Sequence, residues 1–198
     1  FPVQVLALAR MAVHLGIELS SVRSVLLCSD YIPKSLARQV RELLGAEVFS
    51  HYGTVETGLG GAVDCAAHVG CHLREGDLLV EIIDPHTTRP VVDGTWGEIV
   101  CTTLTRTGMP LLRYRTGARG RLLPGVCGCG SAIRRLDRVQ GRIDQVRTLA
   151  HGGRLALAEL DELLFALSGL LDFTAALVTA NGRDGLHVCL TTVPGEAT

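Results

Sequence analysis

Lysine is almost absent. Lys34 is the only one, so positive charge rests on arginine, scattered from Arg10 to Arg183 in a chain of net charge −1. No dense basic patch exists to neutralise phosphates, and nucleic-acid binding is not expected. Long apolar runs are missing too. The longest, residues 163–171, is broken by Ser168 and Gly169, well short of the roughly 18 residues a spanning helix needs. No membrane partner is expected. Apolar residues still make up 47% of the 198 residues and charged residues 20%, which excludes a disordered chain. No signal-peptide pattern is recognisable at Phe1-Pro2-Val3, which enters a helical period at once and reads as an internal cut in a longer protein. The seven cysteines are odd in number. They suggest metal ligands and buried thiols in a reducing, cytoplasmic setting rather than a disulfide framework.

Apolar residues at Val3, Leu6, Ala7, Met11 and Leu15 carry a helical period. Residues 24–28 form a short buried-strand run ending at Ser29-Asp30. Pro33 opens a second helix with Leu36, Val40, Leu43 and Leu44 on one face and Gly45 as its stop. Residues 46–50 read as a second strand. This rhythm predicts an α/β unit with a parallel sheet, in which ligands bind at the carboxyl ends of strands. Ser29-Asp30 and His51-Tyr52-Gly53 occupy such ends. From about residue 60 the pattern turns β-rich, with strands expected at 78–83, 97–103 and 111–114 between turn clusters. Leu155, Ala158, Leu163 and Leu167 fit a further helix. Residues 175–179 and 186–191 read as strands joined by the Asn181-Gly182 turn.

Five landmarks follow in order: HYGTVETGLGG (51–61), DGTWGEI (93–99), TLTRTGMPLLRYRTG (103–117), CGCG (127–130) and GRID (141–144). Each is weak alone; their order and spacing together are specific. From about Ser24 to Leu164 the chain resembles the C-terminal half of adenylate-forming enzymes, most closely the phenylacetate–CoA ligase-like branch. The resemblance implies a mixed fold, α/β plus α+β. Residues 1–141 would be the C-terminal part of the large domain, with a β-rich subdomain at about 60–126. Residues 142–198 would be a truncated, mobile lid. It implies activation of a small-molecule carboxylic acid with ATP and Mg²⁺ as an acyl-AMP, then transfer to CoA; a carrier protein as acceptor stays open.

By the same likeness, Ser29, Asp30 and His51 would border an adenine pocket. Tyr52 would supply an aromatic face to the purine, and Gly53 would let the backbone approach it. Glu56 stands where the family binds magnesium through a carboxylate. Gly141-Arg142-Ile143-Asp144 matches the family's hinge, with Arg142 toward ribose or phosphate and Asp144 absorbing the rotation of the lid.

Two departures stand out. Val55 replaces the hydroxyl residue that usually precedes the magnesium glutamate, and Thr54 or Thr57 would have to substitute. Ala118 ends Arg113-Tyr114-Arg115-Thr116-Gly117-Ala118 where the family has a ribose-binding aspartate. Losing such a charged partner costs about 1.5–3 kcal/mol of binding. The family's phosphate loop and catalytic lysine have no counterpart in these residues, so the piece by itself is expected to be inactive. These departures also motivate a rival reading: a degenerate, zinc-stabilised module that binds a nucleotide or a partner without ligase activity.

Cys65, His72, Cys127 and Cys129 are candidate zinc ligands. Glycines beside the cysteines permit tight turns, and three thiolates with one imidazole are a common structural set. Members of the branch look similar here. Cys71 could replace His72, and His68 is a further candidate. Cys28, Cys101 and Cys189 lie in apolar runs and are expected to be buried thiols.

Overall fold

The structure, a computed structural model, describes residues 1–29, 31–58 and 60–195. In chain order the elements are α1 (Pro2–His14), β1 (Ser24–Leu27), α2 (Lys34–Leu44), β2 (Glu47–Tyr52), β3 (Ala62–Asp64), β4 (Cys71–Leu73), β5 (Leu78–Ile83), β6 (Gly97–Thr103) and β7 (Tyr114–Gly120). There follow β8 (Leu122–Leu123), β9 (Arg135–Leu136), a 3-10 turn at Ile143–Gln145, β10 (Val146–Thr148), β11 (Arg154–Ala156), α3 (Leu157–Leu164), β12 (Leu170–Ala180) and β13 (Arg183–Thr192). They fall into two compact units: residues 1–25, 32–48 and 145–198, and residues 26–31 with 49–144. Among the described residues, no helix is long and apolar enough to cross a membrane.

In the first unit α1 packs on α2 and β12. Arg10, buried in α1, donates to the Leu167 carbonyl at 2.7 Å and to the Gln39 side chain. The start of α2 has no side-chain cap of its own, because Pro33 occupies that position. Glu162 of α3 supplies one instead, accepting the Lys34 N–H at 2.9 Å. A carboxylate is favoured there because the first N–H groups of a helix lack partners and carry its positive dipole end. The long β12–β13 hairpin turns at Asn181-Gly182, as its sequence predicts.

The second unit holds the core that positions the site. One sheet runs in the order β1, β2, β3, β4, β9, β8, with antiparallel pairing from β2 onward. A second antiparallel sheet runs β5, β6, β7. Leu73, Leu78, Val80, Ile82, Ile99, Ala118, Leu122 and Leu136 form one buried cluster, with Tyr52 packed against it. Gly97 is required at the β5–β6 edge, since a Cβ there would stand 2.3 Å from the Ile83 carbonyl oxygen.

Three local expectations shift, the first being Cys189, which lies exposed on β13 opposite Thr174 rather than buried. The strand predicted at 111–114 begins only at Tyr114. Arg113 takes a left-handed φ of +47°, and Leu111 and Arg113 bond to the hydroxyls of Thr103 and Thr102 at 2.9 Å. Leu155 lies on β11, opposite Arg147, rather than on the helix. The β10–β11 ladder takes Leu155 before the helix can start, and α3 ends at Leu164, short of Leu167.

Leu136 is fully buried where β4, β8 and β9 meet. Leu136→Ala should destabilise the second unit by about 2–5 kcal/mol, read as a lowered urea midpoint in that unit's amide exchange.

Candidate functional site

Tyr52 ends β2 and pairs with Ala62; His51 pairs with Val63. Between them and β3 runs a turn that carries Glu56. The turn is closed by Gly58 N–H on the Thr54 carbonyl at 2.9 Å and by reciprocal contacts of Thr54 and Thr57. Thr57 is buried, and its hydroxyl serves the turn at 2.8 Å from the Thr54 nitrogen. Thr54 is the hydroxyl that reaches the Glu56 carboxylate. Val55 points into solvent, 93% exposed.

Glu56 is fixed from two sides. Tyr114, the first residue of β7, donates its hydroxyl to Oε1 at 2.9 Å. Arg106 donates to the Glu56 main-chain carbonyl at 2.6 Å. Arg74 holds the next stretch of the turn through the Thr57 carbonyl at 3.2 Å. The Glu56 carboxyl is held below the ordinary carboxylate range by its own backbone N–H, then by Tyr114 and Thr54. Tyr52 is pushed up to about 12, chiefly by burial, with the Thr116 hydroxyl beside it acting the other way. The charge of Arg142 reaches both Tyr52 and Glu56.

Thus Tyr52, Glu56, Thr54 and Arg142 share one neighbourhood. Arg142 is exposed, bridges to Ala118 through the backbone and pairs with Asp144 at 3.2 Å. Its guanidinium crosses Gly117 so closely that a Cβ there would lie 3.1 Å away. His51 faces the other end of the turn, where its Nε2 accepts the Gly60 N–H at 2.9 Å. A Cβ on Gly53 would stand 2.9 Å from the His51 ring, so the strand end admits only glycine without movement. Burial lowers the His51 pKa, which keeps that acceptor neutral. Ser29 lies exposed at the end of β1 with a left-handed φ of +79°, its hydroxyl 3.6 Å from the Cys28 sulfur. Asp30 lies outside the described residues. Arg106 and Tyr114 received no role from the sequence, although both sit inside its landmarks.

A second cluster lies on the same sheet. The ligand atoms of Cys65, His72, Cys127 and Cys129 are all within 4.8 Å of one another. Cys65 and Cys127 sulfurs are 3.7 Å apart, and Cys129 Sγ is 3.3 Å from His72 Nε2. Edges of a tetrahedral zinc site with thiolate ligands are about 3.8 Å, from the usual Zn–S bond length. The other His72 nitrogen faces the Ile133 carbonyl at 3.2 Å, the outer contact that fixes a ligating imidazole. Backbone N–H donation from Cys129, then the neighbouring side chains, lowers the Cys127 thiol to about 6. Arg135, buried in β9, gathers the carbonyls of Val69, Pro124 and Gly125 at 3.0–3.3 Å and so shapes the loop before Cys127. The two alternatives stand apart. Cys71 is buried near the Ser50 carbonyl, and burial raises it to about 12. His68 is paired with Asp64 at 2.9 Å.

Residues 3–105 match the family described as AMP-binding enzyme. A phenylacetate-coenzyme A ligase from Escherichia coli is 34% identical over 131 residues, 65% of this chain and 29% of that protein. One from Thermus thermophilus is 32% identical over 151 residues, 75% of this chain and 34% of that protein. The chain therefore spans about a third of the length of these relatives. Among solved structures, 2-hydroxyisobutyryl-CoA ligase in the postadenylation state with 2-HIB-AMP aligns with a TM-score of 0.84 at 22% identity, covering 96% of this chain and 41% of that one. Anthranilate CoA ligase with anthranoyl-AMP aligns at 0.69 and 16% identity, covering 100% and 39%. At these identities the structural likeness speaks for the fold. Residues 3–105 and the relatives above 30% identity establish the lineage: the chain belongs to the AMP-binding, adenylate-forming enzyme family, in its phenylacetate–CoA ligase-like branch.

Proposed function

We propose that this chain is part of an ATP-dependent carboxylic acid–CoA ligase that activates an aryl or similar small acid as its acyl-AMP. The observation that carries the reading is the fixed, ionised carboxylate of Glu56, grouped with Tyr52 and Arg142. A hard divalent cation prefers such an oxygen donor. Magnesium bound there would supply neutralisation of charge on the phosphates. Glu56 would anchor that ion. The half-buried ring of Tyr52 would border the purine, and Gly53 and His51 would line the strand end beneath it; by the family resemblance Ser29 and Asp30 would border the same pocket. Arg142 would approach the phosphate or ribose. Thr54 would contribute the hydroxyl that Val55 lacks.

Asp144 is exposed, pairs with Arg142 and directly precedes the division between the compact units. This supports a boundary at Asp144; a large domain of residues 1–141 and a lid of residues 142–198 would be the family arrangement, whereas the compact units group residues 1–25 and 32–48 with residues 145–198. CoA would be the acceptor of the acyl group, by analogy with the relatives. Cys65, His72, Cys127 and Cys129 would hold a structural zinc, for which their spacing and the outer contact of His72 are the support.

Ala118 favours a second reading, a nucleotide-binding or interaction module without ligase activity, because no carboxylate stands at the ribose position.

ATP–pyrophosphate exchange by the full-length protein, tested with a panel of aryl and aliphatic acids including phenylacetate, should be readily detected. Glu56→Gln should lower it by about 10²–10³. A soluble, folded full-length protein with no exchange on any acid would favour the second reading. Purified protein should carry about one equivalent of zinc. Cys127→Ser should release it and lower the melting temperature, as should a strong chelator. Less than about half an equivalent in the unmodified protein, with all thiols reactive, would refute the metal site.

A further inference from the structure

We propose that Tyr114 is a positioning residue: with Arg106 it clamps Glu56 in the orientation in which its carboxylate takes a divalent cation. The inference rests on the cation-binding role of Glu56 given above and extends it to two residues of other elements.

Glu56 sits in a turn outside any strand or helix, next to a residue that is 93% exposed. A carboxylate in such a place ordinarily samples several rotamers in water. Here two distant segments restrain it. Arg106, 50 positions on, donates to its backbone carbonyl at 2.6 Å, and Tyr114, 58 positions on, donates to Oε1 at 2.9 Å. The first contact fixes the main chain and the second fixes the carboxylate plane. An ionised carboxylate has about four acceptor positions. Among the described residues, Tyr114, Thr54 and the residue's own N–H donate to it, and an acceptor position beyond these suits an ion.

The segment bearing Tyr114 is itself held in a costly shape. Arg113 adopts φ +47°, a conformation disfavoured for a side chain of its size. Three contacts keep it there: its N–H on the Thr102 hydroxyl at 2.9 Å, Nε on Glu81 at 3.1 Å and Nη2 on the Thr88 carbonyl at 3.4 Å. Strain maintained by several partners is a feature of functional segments. The residue it delivers to the start of β7, opposite Cys101, is Tyr114. A tyrosine placed only for packing would need no carboxylate partner across 58 positions.

The test is Tyr114→Phe, which keeps the ring and removes the donor. In the full-length protein the Mg²⁺ concentration for half-maximal pyrophosphate exchange should rise about tenfold. Raising Mg²⁺ should recover most of the lost rate. A packing role alone would lower the melting temperature and leave the Mg²⁺ requirement where it was. An activity-independent readout is Mg²⁺ binding by the full-length protein measured by calorimetry with a non-hydrolysable ATP analogue present: Tyr114→Phe and Arg106→Ala should each weaken it about tenfold. Unchanged Mg²⁺ binding with an unchanged Mg²⁺ requirement overturns the clamp while leaving the ligase reading intact. Weakened Mg²⁺ binding in a full-length protein without exchange supports the clamp and overturns the ligase reading.

Discussion

One buried carboxylate, Glu98, sets the shape of the sheet edge beside Arg142. It is almost fully buried in β6 and ion-paired with Arg115 of β7. Its other oxygen takes the Gly117 N–H at 3.1 Å. Between these contacts the β6–β7 register slips, so that Ile99 alone faces residues 116–118. The Thr116 hydroxyl fills the gap, donating to the Ile99 carbonyl at 2.7 Å and accepting the Ala118 N–H at 3.1 Å. A bulge of this kind re-aims a strand and commonly lies beside a site. Here it lets the backbone of residue 118 bridge to Arg142. A buried charge that lost its partners would cost several kcal/mol, so the pair and the bulge stand or fall together.

The three-residue strand β3 ties this region to the cysteine cluster. Val63 pairs with His51 on one side and His72 on the other. The strand leaves the Glu56 turn at one end and delivers Cys65 at the other. Arginine does much of the remaining work. Arg135, Arg74 and Arg106 each spend their donors on loop carbonyls. A planar guanidinium with five fixed donors can satisfy several carbonyls at once, which an ammonium on a flexible stem does less well. The near-absence of lysine thus has a structural counterpart in this chain.

What the sequence disclosed was carried by periodicity and by residue types whose spacing chemistry constrains. The two long helices, the strands at 78–83 and 97–103 and the Asn181-Gly182 hairpin all follow from local pattern. Cys65, His72, Cys127 and Cys129 are legible as a set because glycines and ligand types travel together. Geometry alone separated them from Cys71 and His68. What stayed illegible depends on distant pairs. No local rule tells that Arg106 reaches Glu56, or that Glu162 caps a helix 128 positions earlier. The strand expected at 111–114 failed for a related reason: Thr102 and Thr103 offered side-chain hydroxyls that drew residues 111–113 out of ladder pairing.

Ala118 shows how far the departures from the family pattern are built into the fold. It is nearly fully buried and belongs to the same apolar cluster as Ile99 and Leu136. An aspartate side chain at this point would be desolvated, and an ionised carboxylate without partners in such surroundings is strongly disfavoured. In the family pattern the ribose hydroxyls would be those partners, so the residue is tolerable only where nucleotide binding repays it. Alanine removes both the cost and the contact. The backbone of residue 118 keeps its bonds to Thr116 and Arg142 either way. Alanine therefore leaves the frame around Glu56 and Tyr52 intact, and in the proposed role nucleotide recognition would rest on the purine and phosphate ends, through Tyr52, Glu56 and Arg142.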